Sequence, residues 1–308
     1  LISINKKKGI YSEIITSPAQ SKNISKNLKF TKFDKINSKF RKFINSKYKI
    51  EETLFISMGS RWIFSGKSIN KFFKNNLINF HPTRLPQNSG ATPFSWQILR
   101  GDRISIRLIH LIDEKVDNGP IIFYEKSILP NSCQIPKDFY EYYNSQLKNF
   151  YEKFITLIIK RHEFALQKQS SYLSNYNPRL NSDLNGWVDW NLSPLNLQRF
   201  INAFDDPYSG SLTMINKKKV RIKKVQIHSG ETSNHPFVSG LVLRNDEKWI
   251  VVGLNSESHT LLIKEVIDIN NKNIVKSINV GDRFYTLEKN LEHAKKTRVK
   301  YRPKGIRK

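Results

Sequence analysis

Asn79-Phe-His81-Pro-Thr-Arg-Leu-Pro86-Gln-Asn-Ser-Gly90-Ala-Thr-Pro93, followed further on by Asp113-Glu-Lys-Val-Asp117-Asn-Gly119-Pro-Ile-Ile, is the stretch on which the rest of the chain turns. Residues 77–80 are a short apolar run that breaks off into a Pro- and Gly-rich loop, the pattern of a buried strand running out into a connection. Successive side chains on a strand alternate faces, so Asn79 and His81 point the same way. They stand where the strand ends, the carboxyl edge at which open α/β sheets keep their sites. Asp117, ahead of a Gly-Pro turn, can approach from a neighbouring connection. An amide, an imidazole and a carboxylate converging on one cleft suit acyl transfer, in which a proton moves and an oxyanion forms. Spacing alone establishes a candidate site and no more, because a histidine beside a loop is also a common structural residue.

Around this loop, 53–57 reads as a buried strand, 69–73 as a helix, 94–99 as a helix stopped by Gly101, 104–112 as an alternating strand and 120–124 as its partner. The longest helical pattern, 135–161, repeats Phe139, Tyr142, Tyr143, Leu147, Phe150, Phe154 and Leu157 near three-and-four spacing. Strands alternating with helices favour a parallel or mixed α/β sheet. Upstream, 1–8 reads as a helix end capped by Gly9, 11–16 as a short strand and 17–50 as polar loop with at most one helix. No strand precedes that first helix, so the first strand of the sheet is expected to be missing. Downstream, 167–185 is a Ser/Asn/Tyr-rich linker. A helix at 194–204 and short strands at 211–214, 220–227, 240–243, 249–252 and 261–266 then suggest a small β-barrel or sandwich. The expected organisation is an α/β domain over 1–165, a linker at 166–185, a β-domain over 186–285 and a basic tail at 286–308.

A chain of 308 residues with 38% hydrophobic content, 19 Phe, 12 Tyr and 5 Trp is not disordered. The single cysteine, Cys133, excludes a disulfide framework and multi-cysteine metal sites and points to a reducing, cytoplasmic setting. No apolar run approaches the ~18 residues of a membrane span, and no export signature opens the sequence. Lys and Arg number 52 against 26 Asp and Glu, a formal charge of +26. Two readings of that excess stay open: a polyanionic partner, or codon usage that favours Lys, Asn and Ile. It is densest at Lys217, Lys218, Lys219, Arg221, Lys223 and Lys224 and in the tail after Glu292. Gly59 to Ser68 ends like a phosphate-binding P-loop but has six residues between its glycines where that motif needs four.

The ordered set Asn-x-His-Pro-x-x-x-Leu-Pro-x-x-x-Gly-Ala-x-Pro, Gly101-Asp102 and Val-Asp-x-Gly-Pro-Ile resembles the 10-formyltetrahydrofolate-dependent formyltransferases. That family includes methionyl-tRNA formyltransferase, amino-sugar N-formyltransferases and glycinamide ribonucleotide formyltransferase. The strong match spans 50–125; Gly186-Trp-Val-Asp-Trp190 and 200–210 resemble the start of the carboxyl-terminal domain of the tRNA and amino-sugar branches. The resemblance implies a Rossmann-like, mostly parallel sheet followed by a small OB-like β-domain. It implies Asn79, His81 and Asp117 as catalytic residues, with Asp117 favouring a cationic His81. It implies 10-formyltetrahydrofolate as co-substrate, held along Thr83, Arg84, Leu85 and Pro86 and along Asp113, Glu114, Lys115 and Val116, with Phe64 or Trp62 as a wall. It calls for no metal. The family's Leu-Pro-x-x-Arg-Gly appears here as Leu-Pro-Gln-Asn-Ser-Gly, which leaves the contact of that arginine without a carrier.

The implied acceptor is an anionic primary amine: an amino-sugar nucleotide first, Met-tRNA as the alternative. In the tRNA branch a basic insertion follows the second strand, whereas Ser17-Pro-Ala-Gln-Ser21 stands there in this chain, and Phe94-Ser-Trp96-Gln-Ile98 is more similar to the sugar branch. A non-enzymatic nucleic-acid-binding protein built on the basic β-domain and tail is the competing class.

Overall fold

The computed structural model describes the chain except residues 19, 61, 230–232, 300, 303–304 and 307–308, and except the side chains of 23, 301–302 and 305–306. Part of the anticipated basic tail therefore lies outside the described residues. Helix α1 (Ile2–Lys7) is followed by Gly9, whose φ of +71° ends it as the sequence suggests. Strands β1 (Ile14–Thr16) and β2 (Phe30–Lys32) form a separate parallel pair. Among the described residues between 17 and 50 the one α-helix is α2 (Ser38–Lys47), started by Asn37, whose Oδ1 accepts from the Phe40 amide at 3.1 Å.

The sheet that carries the motif has four strands. In chain order the elements are β3 (Phe55–Ser57), β4 (Leu77–His81), β5 (Ser89–Gly90), α3 (Pro93–Arg100), β6 (Ile104–Leu111), β7 (Ile121–Ile128) and α4 (Pro136–Ile159). The order across the sheet is β3-β4-β6-β7, with β3 parallel to β4 and the other two pairs antiparallel, so the sheet is mixed. The segment expected as a helix at 69–73 is a π-helical turn (Ser68–Phe72). Alternation on β4 turns Ile78 and Phe80 to α4, where they join Phe150, Tyr151 and Phe154 in one core; α1 docks on the same helix through the Tyr151 hydroxyl, which donates to Asn5 at 2.8 Å. That packing leaves Asn79 and His81 on the other face, towards the cleft.

The stretch expected as a linker is pinned to this domain. Ile121 and Gln167 exchange backbone hydrogen bonds, β8 (Tyr176–Asn177) pairs in parallel with β5, and Trp96 Nε1 donates to the Pro178 carbonyl at 2.7 Å. Helix α5 (Ser182–Asn185) follows. Then come α6 (Pro194–Ala203), β9 (Ser211–Ile215), β10 (Lys218–Ser229), β11 (Val242–Asn245), β12 (Ile250–Gly253), β13 (His259–Ile267), β14 (Phe284–Tyr285) and α7 (Glu288–Lys296). The six strands form one antiparallel sheet in the order β11-β12-β13-β10-β9-β14, around a core that includes Val188, Leu197, Ile222, Ile263 and Phe284. Helix α7, inside the anticipated tail, is docked: Asn185 Nδ2 donates to the carbonyls of Ala294 and Thr297 at 3.0 Å each. The cationic cluster is partly spent internally, with Lys223 on Asp205 and Asp206, Lys224 on Glu265 and Arg221 on Asp183.

Candidate active site

Antiparallel pairing sets Asn79 of β4 opposite His110 of β6, and His81 opposite Leu108. Directly opposed residues share a face, so the sheet delivers a second histidine to the site. His110 is a residue that the sequence reading missed. The alternation Ile104, Ile106, Leu108, His110 marks a histidine on an otherwise apolar face, but only the register shows that it meets Asn79.

The hydrogen bonds fix its tautomer. His110 Nδ1 lies 2.7 Å from the Leu111 carbonyl, which can only accept, so Nδ1 carries the proton and Nε2 accepts from Asn79 Nδ2 at 3.1 Å. Burial, helped by the proximity of His81, pushes the His110 pKa down to about 4. For His81, the Thr83 hydroxyl donates to the Asn88 carbonyl at 2.9 Å and therefore accepts from His81 Nε2–H at 2.8 Å. Nδ1 is then the open nitrogen, 3.6 Å from Asp117 Oδ1. Burial pulls the His81 pKa below its ordinary value and Asp117 pulls it back up; the shift is downward on balance. His81 is only 6% exposed, and the expected imidazolium gives way to a neutral ring because desolvation outweighs the one nearby carboxylate.

Asp117 is held with care. Its φ of +56° lies in the left-handed region, and its Oδ2 accepts from the Gly90 amide at 3.0 Å. Gln169, from the stretch expected as a linker, donates through Nε2 to the carbonyls of Asp117 and Gly119 at 3.0 and 2.7 Å. Two glycines make this approach feasible. A Cβ on Gly90 would stand 2.2 Å from the Asn177 carbonyl oxygen, and one on Gly119 would stand 1.9 Å from that of Leu111.

A cleft of about 1100 Å³ opens over Asn79, His81, His110 and Asp117. Of the residues expected to hold the co-substrate, Phe64, Asp113, Glu114, Lys115 and Val116 line it, as does Trp62. Phe64 also packs on Phe73, at 5.7 Å between centroids, so it serves core and cleft together. The Thr83–Pro86 segment stands differently. Thr83 is buried behind His81, Leu85 belongs to a core with Ile106, Leu108 and Ile121, and Arg84 is exposed; none of these three nor Pro86 lines the cleft. The strand ends at His81, and the turn that follows folds Thr83 behind the imidazole and Leu85 into the core. The far wall comes from Tyr140, Tyr176, Arg179, Asp183 and Tyr208, none of which the sequence reading singled out.

Among curated proteins, the bifunctional polymyxin resistance protein ArnA of Wigglesworthia glossinidia brevipalpis is 26% identical over 186 residues, 60% of this chain and 28% of that protein. The methionyl-tRNA formyltransferase of Clostridium perfringens (strain SM101 / Type A) is 22% identical over 186 residues, 60% of this chain and 57% of that enzyme. The chain thus spans little more than half of the tRNA enzyme and under a third of ArnA. Among solved structures, the sugar 3N-formyl transferase WlaRD, in the presence of dTDP and 5-N-formyl-THF, superposes with a TM-score of 0.58 at 21% identity, covering 80% of this chain and 79% of that one. The N-formyltransferase of Helicobacter canadensis, in complex with folinic acid and dTDP-3-aminofucose, gives 0.57 at 20% identity, covering 85% and 95%. At these identities the likeness is one of fold. The sequence pattern of the family described as Formyl transferase matches residues 15–135, with His81 and Asp117 inside it, and that described as Formyl transferase, C-terminal domain, matches residues 182–279. With both halves matched in order, the chain belongs to the formyltransferase family.

Proposed function

We propose that this chain transfers a formyl group from 10-formyltetrahydrofolate to a primary amine, and that the amine belongs to an amino-sugar nucleotide. The observation that carries the reading is the buried His81, with its open Nδ1 beside Asp117 and two residues along the strand from Asn79, at the floor of an aromatic-walled cleft. The amine nitrogen attacks the formyl carbon, giving a tetrahedral oxyanion. The N–C bond to the acceptor forms, the bond from that carbon to N10 breaks, and N10 leaves with the proton that the amine gave up, passed on by His81.

Each residue has a place in this sequence. His81 Nδ1 accepts the proton that the attacking amine loses, and Asp117 stabilises the imidazolium formed at that moment. The ring is thus a base in the resting enzyme and a cation beside the oxyanion afterwards. Asn79 Nδ2 has two hydrogens, of which His110 takes one; the second is free to donate to the oxyanion. Asp113 to Val116 and Phe64 would lie along the folate, and the Tyr140, Tyr176, Arg179 and Tyr208 side would take the acceptor. The relatives of solved structure named for dTDP or dTDP-3-aminofucose support the sugar assignment. Curated relatives named methionyl-tRNA formyltransferase and the +26 charge support Met-tRNA as the second reading.

The deciding experiment is formyl transfer from 10-formyltetrahydrofolate to a panel of amino-sugar nucleotides and to charged initiator tRNA, with folate-analogue binding followed by calorimetry. Turnover of a sugar nucleotide is the expected result. No transfer to any amine, together with no folate binding at millimolar concentration, rejects an enzyme and leaves nucleic-acid binding as the surviving class.

A further inference from the structure

We propose that His81, His110 and Asp117 form a site for a divalent transition-metal ion such as Zn²⁺, and that metal bound there blocks the chemistry of the cleft. One potential ligand atom from each of the three residues lies within 4.8 Å of the others, on the wall of an open cleft. Two imidazoles and a carboxylate are a donor set suited to zinc and its neighbours in the transition series.

The stronger indication is how each residue is held from behind. Imidazoles that bind metal characteristically donate their second nitrogen to a carbonyl or similar acceptor, which fixes the tautomer and aims the other lone pair. Both histidines have this arrangement: His110 Nδ1–H faces the Leu111 carbonyl, and His81 Nε2–H faces the Thr83 hydroxyl, itself tied to the Asn88 carbonyl. Asp117 is similarly anchored through Oδ2 on the Gly90 amide, with Oδ1 left towards His81. The atoms left towards the cleft are His81 Nδ1, Asp117 Oδ1 and His110 Nε2, the last of which accepts from Asn79 Nδ2. Against binding stand the loss of the Asn79–His110 hydrogen bond and a contraction. Zinc bonds of ~2.0–2.1 Å place tetrahedral ligands about 3.3 Å apart, so a pair at the 4.8 Å limit must close by roughly 1.5 Å. The site should accordingly be weaker than a structural zinc centre, with a dissociation constant of about micromolar order. Because the metal would occupy His81 Nδ1, it would remove the proton acceptor assigned above; that consequence, but not the site, rests on the proposed reaction.

Titration of tag-free protein with Co²⁺, read by its visible ligand-field bands and by calorimetry, tests the site without any assay of turnover. Equimolar binding is expected, with bands characteristic of low-symmetry four- or five-coordination that Zn²⁺ displaces. His110→Ala, checked for folding by its thermal melt, should weaken binding at least ~10-fold and change the bands. His162→Ala and His293→Ala, at exposed positions, should leave both unchanged. Absence of equimolar binding up to millimolar Co²⁺, or bands indifferent to His110→Ala, overturns the site. In parallel, Zn²⁺ should inhibit formyl transfer and a chelator restore it; metal binding to a chain that transfers no formyl group would reject the proposed reaction and leave the metal site standing.

Discussion

At the level of single residues, the site follows from which effect wins at each side chain. His81→Ala and Asp117→Asn should each lower turnover at least ~10²-fold while the protein melts as before, since proton transfer by a positioned group is worth that much. A folded Asp117→Asn protein with near-full activity would reject the assignment. The histidines also tie stability to pH. In the unfolded chain a histidine titrates near ~6.5, while folded His110 has been pushed down to about 4 and folded His81 lies below its ordinary value as well. Between those values the unfolded chain holds protons that the native state does not, so stability declines as pH falls from about 6.5, by up to ~1.4 kcal/mol per pH unit for each group. Calorimetric melts in chelator-containing buffer should show the midpoint dropping between roughly pH 7 and pH 5, and His110→Gln should make that drop shallower. An unchanged pH slope in the variant would mean that His110 is not buried as described. That Asn79, His81 and Asp117 meet at one cleft is legible in the sequence, because strand alternation and motif order are local signals. The protonation state of His81 is not: the neighbouring carboxylate is visible in sequence, whereas the degree of burial is a property of the fold.

At the level of elements, the revealing segment is the one composition marks as a linker. Ser-, Asn- and Tyr-rich sequence signals an absence of regular structure, yet β8 and α5 lie within this stretch, and composition does not say whether the backbone is tied down. Here it is, by β8 on β5, by the Trp96–Pro178 bond and by Gln169 beneath the Asp117 loop. For the same reason His110 and the Tyr176–Asp183 wall escaped notice: both depend on pairing between segments distant in sequence. The strands and long helix of the first domain, with their strong periodicity, did not. Gln169 makes a test of this point. It touches no reacting atom and acts by holding the Asp117 backbone, so Gln169→Ala should lower kcat by about 10–100-fold, the scale of a small misplacement of a catalytic group, and leave the KM for folate nearly unchanged. Added to Asp117→Asn, the same substitution should have little further effect, because the group it positions is already disabled. Full additivity in that double variant would assign Gln169 a role of its own.

Across the whole molecule the open issue is whether a charge of +26 describes a partner or a composition. The structure weakens the case for its densest patch: Arg221, Lys223 and Lys224 are engaged with Asp183, Asp205, Asp206 and Glu265, and Lys217, Lys218 and Lys219 remain around one hairpin turn. Where the tRNA branch carries its basic insertion, Ser17 and Gln20 belong to a short turn folded back on the chain, with Gln20 Nε2 donating to the Gly59 carbonyl at 2.8 Å. Diffuse lysines raise encounter rates with any polyanion but do not set a register on an acceptor stem. Salt separates the two acceptors. A protein that grips several phosphates loses ~10³–10⁵-fold in affinity between roughly 50 and 200 mM salt, because counterions are released on binding. A nucleotide diphosphate offers few charges, so KM for an amino-sugar nucleotide should rise by less than about 10-fold over that range. The expected outcome is a shallow salt dependence with the sugar nucleotide and negligible transfer to charged initiator tRNA at any salt. Efficient formylation of Met-tRNA with a steep salt slope, and no turnover of any sugar nucleotide, would instead make the lysines the recognition surface and reverse the preference.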